Sequence, residues 1–142
     1  MKLSEIMTRD VRSIDSTDTV QQAARIMKDL NVGSIPVTEG GRVVGMLTDR
    51  DVVLRNVADG KTPENTRVEE VMSKTVVTAA PDMDAHEAAD IMAQNQIRRL
   101  PVMENDRMVG IVSIGDLAVK NIYENEAGEA LSSISKPSRP SL

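Results

Sequence analysis

The feature that most constrains this chain is that it is written twice. Shifting the sequence by 65 residues lays 5–59 over 70–124 without a gap, and 15 of those 55 positions are identical; chance supplies about three or four. The matches run in order through Met7/Met72, Val11/Val76, Ala23-Ala24/Ala88-Ala89, Ile26-Met27/Ile91-Met92, Pro36-Val37/Pro101-Val102, Val44-Gly45/Val109-Gly110, Asp51/Asp116 and Asn56/Asn121. A unit of roughly sixty residues buries too little surface to be comfortable alone. The two copies are therefore expected to share one structure.

Each copy has the same grammar. A short extended segment, at 11–14 or 76–79, is followed by an amphipathic pattern over 20–31 in which Val20, Ala23, Ala24, Met27 and Leu30 fall on one helical face. Thr19 with Gln22, and Asp84 with Glu87, fit a capping box at the start of that helix. Two apolar runs follow, "SIPV" and "VVGML" in the first copy and "RLPV" and "MVGIV" in the second. Gly40-Gly41 and Asn105-Asp106 join them with hairpin turn chemistry. A second helix closes each copy, at 50–58 and 115–124. The predicted fold is α+β: two tandem strand-helix-strand-strand-helix repeats, 1–58 and 67–124, packed sheet on sheet about a pseudo-two-fold axis. The polar stretch 59–66, "DGKTPENT", reads as a linker. Residues 125–142 read as a small, polar, partly disordered tail in which "AGEALSSI" has the makings of one short helical turn.

Composition narrows the chemistry. The chain has no cysteine, so it has no thiol nucleophile, disulfide or Cys-based metal site. With no Phe or Trp and one Tyr, the core must be aliphatic, with nine Met as filler. A formal charge of -5 and the lack of stacking aromatics argue against nucleic acid and anionic membranes as partners. The N-terminus is too polar for a signal peptide, and no apolar run reaches membrane-spanning length. A cytoplasmic protein is expected.

The residues able to carry chemistry sit in the repeated phrase "GMLTDRD" and its echo "GIVSIGD". Thr48 and Ser113 end a strand just before a helix, where a hydroxyl can cap the helix or meet a phosphate. Asp51 and Asp116 follow three residues later. Each carboxylate can complement the helix dipole or accept from the two hydroxyls of a ribose. Arg98 and Arg99 stand where the first copy has Gly33 and Ser34; they are either solvated surface residues or a phosphate fork. Arg50, whose counterpart is Gly115, has the same two readings. His86, the single histidine, and the acidic run 81–90 lack ligand spacing and read as surface and capping residues, so no metal site and no catalytic residue is expected.

The recurring "PV … VG" pattern with its hydroxyl and Asp resembles the tandem repeat named after cystathionine beta-synthase, the CBS-domain pair, over about residues 5–124. With no enzyme or DNA-binding segment in the sequence, it is similar to a stand-alone bacterial CBS pair. The resemblance implies a regulatory, energy-sensing module with no obligatory cofactor. Its regulatory ligand would be an adenosyl nucleotide (AMP, ADP, ATP, NAD or S-adenosylmethionine), and the module would be a homodimer acting on a protein target. It further implies two composite clefts. The first would combine Thr48, Arg50 and Asp51 with Ser73, Val76, Arg98, Arg99, Leu100 and Pro101. The second would combine Ser113 and Asp116 with Thr8, Val11, Gly33, Ser34, Ile35 and Pro36. On that grouping the first cleft has the better phosphate chemistry. Two other functions compete: a ligand-independent dimerisation module, for which Leu54, Val57, Val119 and Ile122 would be exposed, and a nucleotide hydrolase, for which no base is evident.

Overall fold

The computed structural model describes residues 1–74, 76–118 and 124–135. Its chain order is β1 (Ile14–Asp15), α1 (Val20–Leu30), β2 (Ser34–Glu39), β3 (Arg42–Thr48) and α2 (Asp49–Val52), which runs on into a π-helical turn, Val53–Val57. Then come α3 (Ala85–Asn95), β4 (Arg99–Glu104), β5 (Arg107–Ser113), α4 (Ile114–Ala118) and α5 (Glu124–Ser135). The α+β class is present, and the first copy keeps the whole expected grammar; the second keeps it from α3 onward, with the strand expected at 76–79 reduced among the described residues to an isolated bridge at Ala79.

The compact units are not the sequence repeats. Arg12–Val76 forms one unit; Met1–Val11 and Val77–Leu142 form the other. Each repeat has surrendered its leading segment. In the Arg12–Val76 unit, Val68, Val71 and Met72 pack in one core with Ile14, Val20, Ala23, Met27, Ile35, Val37 and Leu47. In the other unit, Leu3 packs with Ala88, Met92, Leu100, Val102, Val112 and Leu117. Both leading segments begin with a short 3-10 turn, Leu3–Glu5 or Val68–Glu70, whose first residue is fully buried.

The sheets repeat almost residue for residue. β2 and β3 pair antiparallel with Ser34 opposite Thr48, and the register slips once between Val37 and Thr38. β4 and β5 pair with Arg99 opposite Ser113, and the slip falls at the equivalent Val102/Met103. The hairpin turns need positive φ at both central residues, and Gly40 (59°), Gly41 (86°), Asn105 (53°) and Asp106 (62°) supply it. β1 adds to β2 in parallel, whereas among the described residues of the other unit only Ala79 makes such a bridge, to Val102.

Helix starts follow the expected chemistry with one change. Thr19 accepts from the Gln22 N–H at 3.2 Å, and the Gln22 side chain accepts from the Thr19 N–H at 2.8 Å. Asp84 instead accepts from the N–H of His86 at 2.8 Å, one residue short of a box. That hydrogen bond holds the Asp84 carboxyl below its ordinary pKa. On α1, Val20, Ala23 and Met27 face the core, but Ala24 and Leu30 are exposed and not on the buried stripe. Met27, the eighth residue of this eleven-residue helix, turns inward, while Ala24 and Leu30 lie at the wet edges of the face.

The C-terminal region departs most from expectation. Glu124–Ser135 is a three-turn helix, α5, packed on α3 and α4. Ala130 is buried in it, and the side-chain amide of Gln96 donates to the Ser133 carbonyl at 3.0 Å. The helix gains its stability by docking, which small polar composition does not reveal. Residues 136–142 of the expected tail lie outside the described residues, as do Val119 and Ile122.

Candidate functional site

The site is built from three chain segments in each unit. In the Arg12–Val76 unit, β3 ends at Thr48, whose Oγ1 accepts from the Asp51 N–H at 3.1 Å. Asp51 Oδ2 accepts in return from the Thr48 N–H at 3.0 Å. The sister pair is the same: the Ser113 hydroxyl accepts from the Asp116 N–H at 3.1 Å, and Asp116 Oδ2 accepts from the Ser113 N–H at 2.8 Å. The capping role weighed from sequence is therefore present in both copies. It fixes each half-buried carboxylate through one oxygen, and neither Oδ1 is hydrogen-bonded among the described residues.

The repeated glycine of the phrase places the second segment. A Cβ on Gly45 would come within 2.8 Å of the Ser73 carbonyl oxygen, and one on Gly110 within 2.8 Å of the Thr8 carbonyl oxygen. Only glycine admits that approach. It lets Met46 and Ser73 exchange backbone hydrogen bonds of 3.0 and 2.9 Å, and Ile111 and Thr8 two of 2.9 Å. Ser73 and Val76 are thus brought to the unit of Thr48 and Asp51, and Thr8 and Val11 to that of Ser113 and Asp116.

The third segment is the residue pair before the apolar-Pro motif. The Asp49 N–H donates to the Gly33 carbonyl at 2.9 Å, and the Ile114 N–H donates to the Arg98 carbonyl at 2.9 Å. Ser34 lies opposite Thr48, and Arg99 opposite Ser113. Within the units, then, Gly33 and Ser34 stand with Thr48 and Asp51, while Arg98 and Arg99 stand with Ser113 and Asp116. The grouping inferred from the resemblance had these the other way round. Arg98 is exposed and Arg99 half-buried; Ile35, Pro36, Leu100 and Pro101 are buried and support the strands from beneath. Arg50 is exposed.

One residue was missed from sequence. The Asp49 carboxylate lies over Gly33, 3.1 Å from where a Cβ would be, and its Oδ1 accepts from the Arg50 N–H at 2.8 Å. The signal was available inside the chain: where the first copy has Gly33 and Asp49, the second has Arg98 and Ile114. Among the described residues no three His, Asp or Glu side chains gather as metal ligands, and no helix is long and apolar enough to cross a membrane.

Known proteins place this arrangement. The chain is 47% identical over 133 residues to the CBS domain-containing protein YhcV of Bacillus subtilis (strain 168), covering 94% of each chain. It is 29% identical over 134 residues to hypoxic response protein 1 of Mycobacterium tuberculosis, covering 94% of this chain and 93% of the relative. A crystal structure of hypoxic response protein I, with two coordinated zinc ions, is similar at a TM-score of 0.78 and 30% identity over 84% of this chain and 98% of that one. The CBS domain protein TA0289 of Thermoplasma acidophilum is similar at a TM-score of 0.82 and 25% identity, over 96% and 77% of the two chains. The family profile for the CBS domain matches twice, at 3–56 and 68–120, the two stretches that the 65-residue shift superposes. The chain therefore belongs to the CBS-domain family of regulatory and signal-transduction modules, as a tandem pair.

Proposed function

We propose that this protein is a sensor of adenosyl nucleotides, each unit holding one ligand against its hydroxyl–carboxylate pair. The observation that carries this reading is the orientation of Asp51 and Asp116. Each carboxylate is locked by the N–H of the preceding strand end, at 3.0 or 2.8 Å, with its other oxygen uncommitted among the described residues. An ionised acceptor held that way suits the paired hydroxyls of a ribose. By the family resemblance the backbone near Val76 or Val11 would meet the adenine edge, with Ser73 and Thr8 close in sequence. Binding would shift the protein between two arrangements by differential affinity alone, and a partner would read the shift. Among the described residues no group is placed as a nucleophile with its base, and no reaction is proposed.

Asp51→Asn and Asp116→Asn test this, because each keeps the capping oxygen and removes the charge. Titration calorimetry with AMP, ATP, NAD and S-adenosylmethionine should show binding to the unaltered protein, weakened about 10- to 100-fold at the altered unit, the range for a lost charge-assisted hydrogen bond. No binding of any of these at millimolar concentration would remove the reading.

Self-association is favoured by a separate observation. In the Arg12–Val76 unit Leu30 (49%), Val53 (56%), Leu54 (47%) and Val57 (62%) are exposed on α1 and the helix that starts with α2. In the other unit α5 packs on the corresponding helices, α3 and α4. A second copy of this chain is the proposed cover for the bare face. Sedimentation should show a dimer that Leu54→Lys with Val57→Lys converts to monomer; a monomeric unaltered protein would refute it.

A further inference from the structure

The two units present opposite charge at the same place. Gly33 and Arg98 are equivalent residues with equivalent backbones, since each carbonyl accepts from the first N–H after the partner strand at 2.9 Å. The direction in which Gly33 would carry a side chain is filled by the Asp49 carboxylate, 3.1 Å from an ideal Cβ. In the sister unit that direction carries the real side chain of Arg98, and the acid is replaced by Ile114, against which an arginine stem can lie. One exchange of Gly and Asp for Arg and Ile thus turns a fixed anion into a cation beside the same hydroxyl–carboxylate pair. Arg99 lies opposite Ser113, where the first unit has Ser34 opposite Thr48. Arg50 acts in the other direction. It is exposed, however, and lies between Asp49 and Asp51 in sequence, so its unit keeps a net negative charge at the site.

We infer that the two units take different ligands: the unit of Arg98 and Asp116 a phosphorylated adenosine, and the unit of Asp49 and Asp51 an adenosine group that carries no phosphate. This rests on the adenosyl reading above and deepens it. A nucleoside monophosphate carries close to two negative charges at neutral pH. Arginine binds its oxygens bidentately, whereas a carboxylate in the same position repels them. Discrimination is sharpened when a repulsive group opposes the wrong ligand as well as an attractive one holding the right one, and Asp49 is the repulsive group. A neutral nucleoside or a sulfonium-bearing one meets no such penalty.

The test is calorimetric titration of the full chain with AMP, adenosine and S-adenosylmethionine, each site being assigned with Asp51→Asn and Asp116→Asn. AMP should bind once per chain and be weakened by Asp116→Asn and not by Asp51→Asn. Adenosine, S-adenosylmethionine or both should show the reverse dependence. Arg98→Ala should weaken AMP by about 10- to 100-fold, the range for a charge-assisted contact. Asp49→Asn, nearly isosteric and exposed, should admit AMP to the second unit at least about tenfold more tightly; Asp49→Ile, which copies the sister residue, should do the same. Circular dichroism melting checks that each variant is folded. AMP at both units with equal affinity, or AMP lost with Asp51→Asn and kept with Asp116→Asn, would overturn the inference and leave the adenosyl reading standing. Failure of all three compounds to bind would remove both.

Discussion

The Arg12–Val76 unit and the unit formed by Met1–Val11 with Val77–Ser135 are two solutions to one problem, and their difference separates scaffold from specialisation. Everything that sets the backbone is shared. Registers, bulges, hairpin turns, the close approach at Gly45 or Gly110 and the capping boxes at Thr48 or Ser113 coincide. What differs lies on top of that frame. One unit has Gly33 beneath Asp49 and exposes Leu30, Val53, Leu54 and Val57 on its helices; the other has Arg98 and Ile114 in the equivalent places and packs α5 on its helices. Duplication kept what folds and varied what meets other molecules.

If that division is right, core truncation should cost the same in both units. Ile35 and Leu100 are sister residues exposed by 1% and 0%. Ile35→Ala and Leu100→Ala should each lose about 2–5 kcal/mol, the usual range for a buried aliphatic residue cut to alanine. Denaturant unfolding monitored by circular dichroism measures it. Values differing by more than about 2 kcal/mol would show that the two cores are not equivalent, since scatter at fixed chemistry is of that order.

Much of this was legible in the sequence because it is local. The 65-residue repeat, the αL-tolerant residues at the turns and the Thr19 box involve neighbours a few positions apart. The exchange of leading segments was not legible in the residues themselves; only the resemblance implied it, by grouping Ser73 and Val76 with Thr48 and Asp51, and Thr8 and Val11 with Ser113 and Asp116. Leu3 and Val68 have the same apolar character whichever core they enter, and only tertiary packing decides. The neighbours of the arginines lay between these cases. A two-residue turn at Asn105-Asp106 followed back through one bulge puts Arg99 opposite Ser113, so hairpin arithmetic could have found it. The resemblance alone led to the opposite grouping. The helix α5 escaped because residues 124–135 offer little apolar surface, and its partner α3 is distant in sequence.

The glycines give the next largest effect. A methyl on Gly45 meets the Ser73 carbonyl oxygen and the Met72 sulfur, and one on Gly110 meets the Thr8 carbonyl oxygen and the Met7 sulfur. Methionine can move aside, but the carbonyl belongs to a backbone bridge that must shift. Gly45→Ala and Gly110→Ala should each cost about 1–3 kcal/mol, as overpacking does. They should also loosen the leading segment, read as faster amide exchange at Ser73 in one case and Thr8 in the other. Loss of stability with unchanged exchange at those two amides would mean that the strain is relieved elsewhere, and the glycines would lose their role in holding the site together.

The smallest effect uses one identical residue in two surroundings. Ala24 and Ala89 occupy the same position on α1 and α3, yet Ala24 is exposed and Ala89 is 2% exposed in the unit where α5 packs on α3. Ala89→Leu should cost about 1–3 kcal/mol, because added methylenes have nowhere to go in a filled site. Ala24→Leu should stay within about 0.5 kcal/mol, as for surface substitutions, since leucine is nearly as good a helix former as alanine. Thermal unfolding at low protein concentration measures both, so that association through the bare face does not enter. A large loss at Ala24 under those conditions would mean that its face is packed within the monomer. The contrast between a covered and an uncovered unit would then fail, and with it the reason for expecting a second copy there.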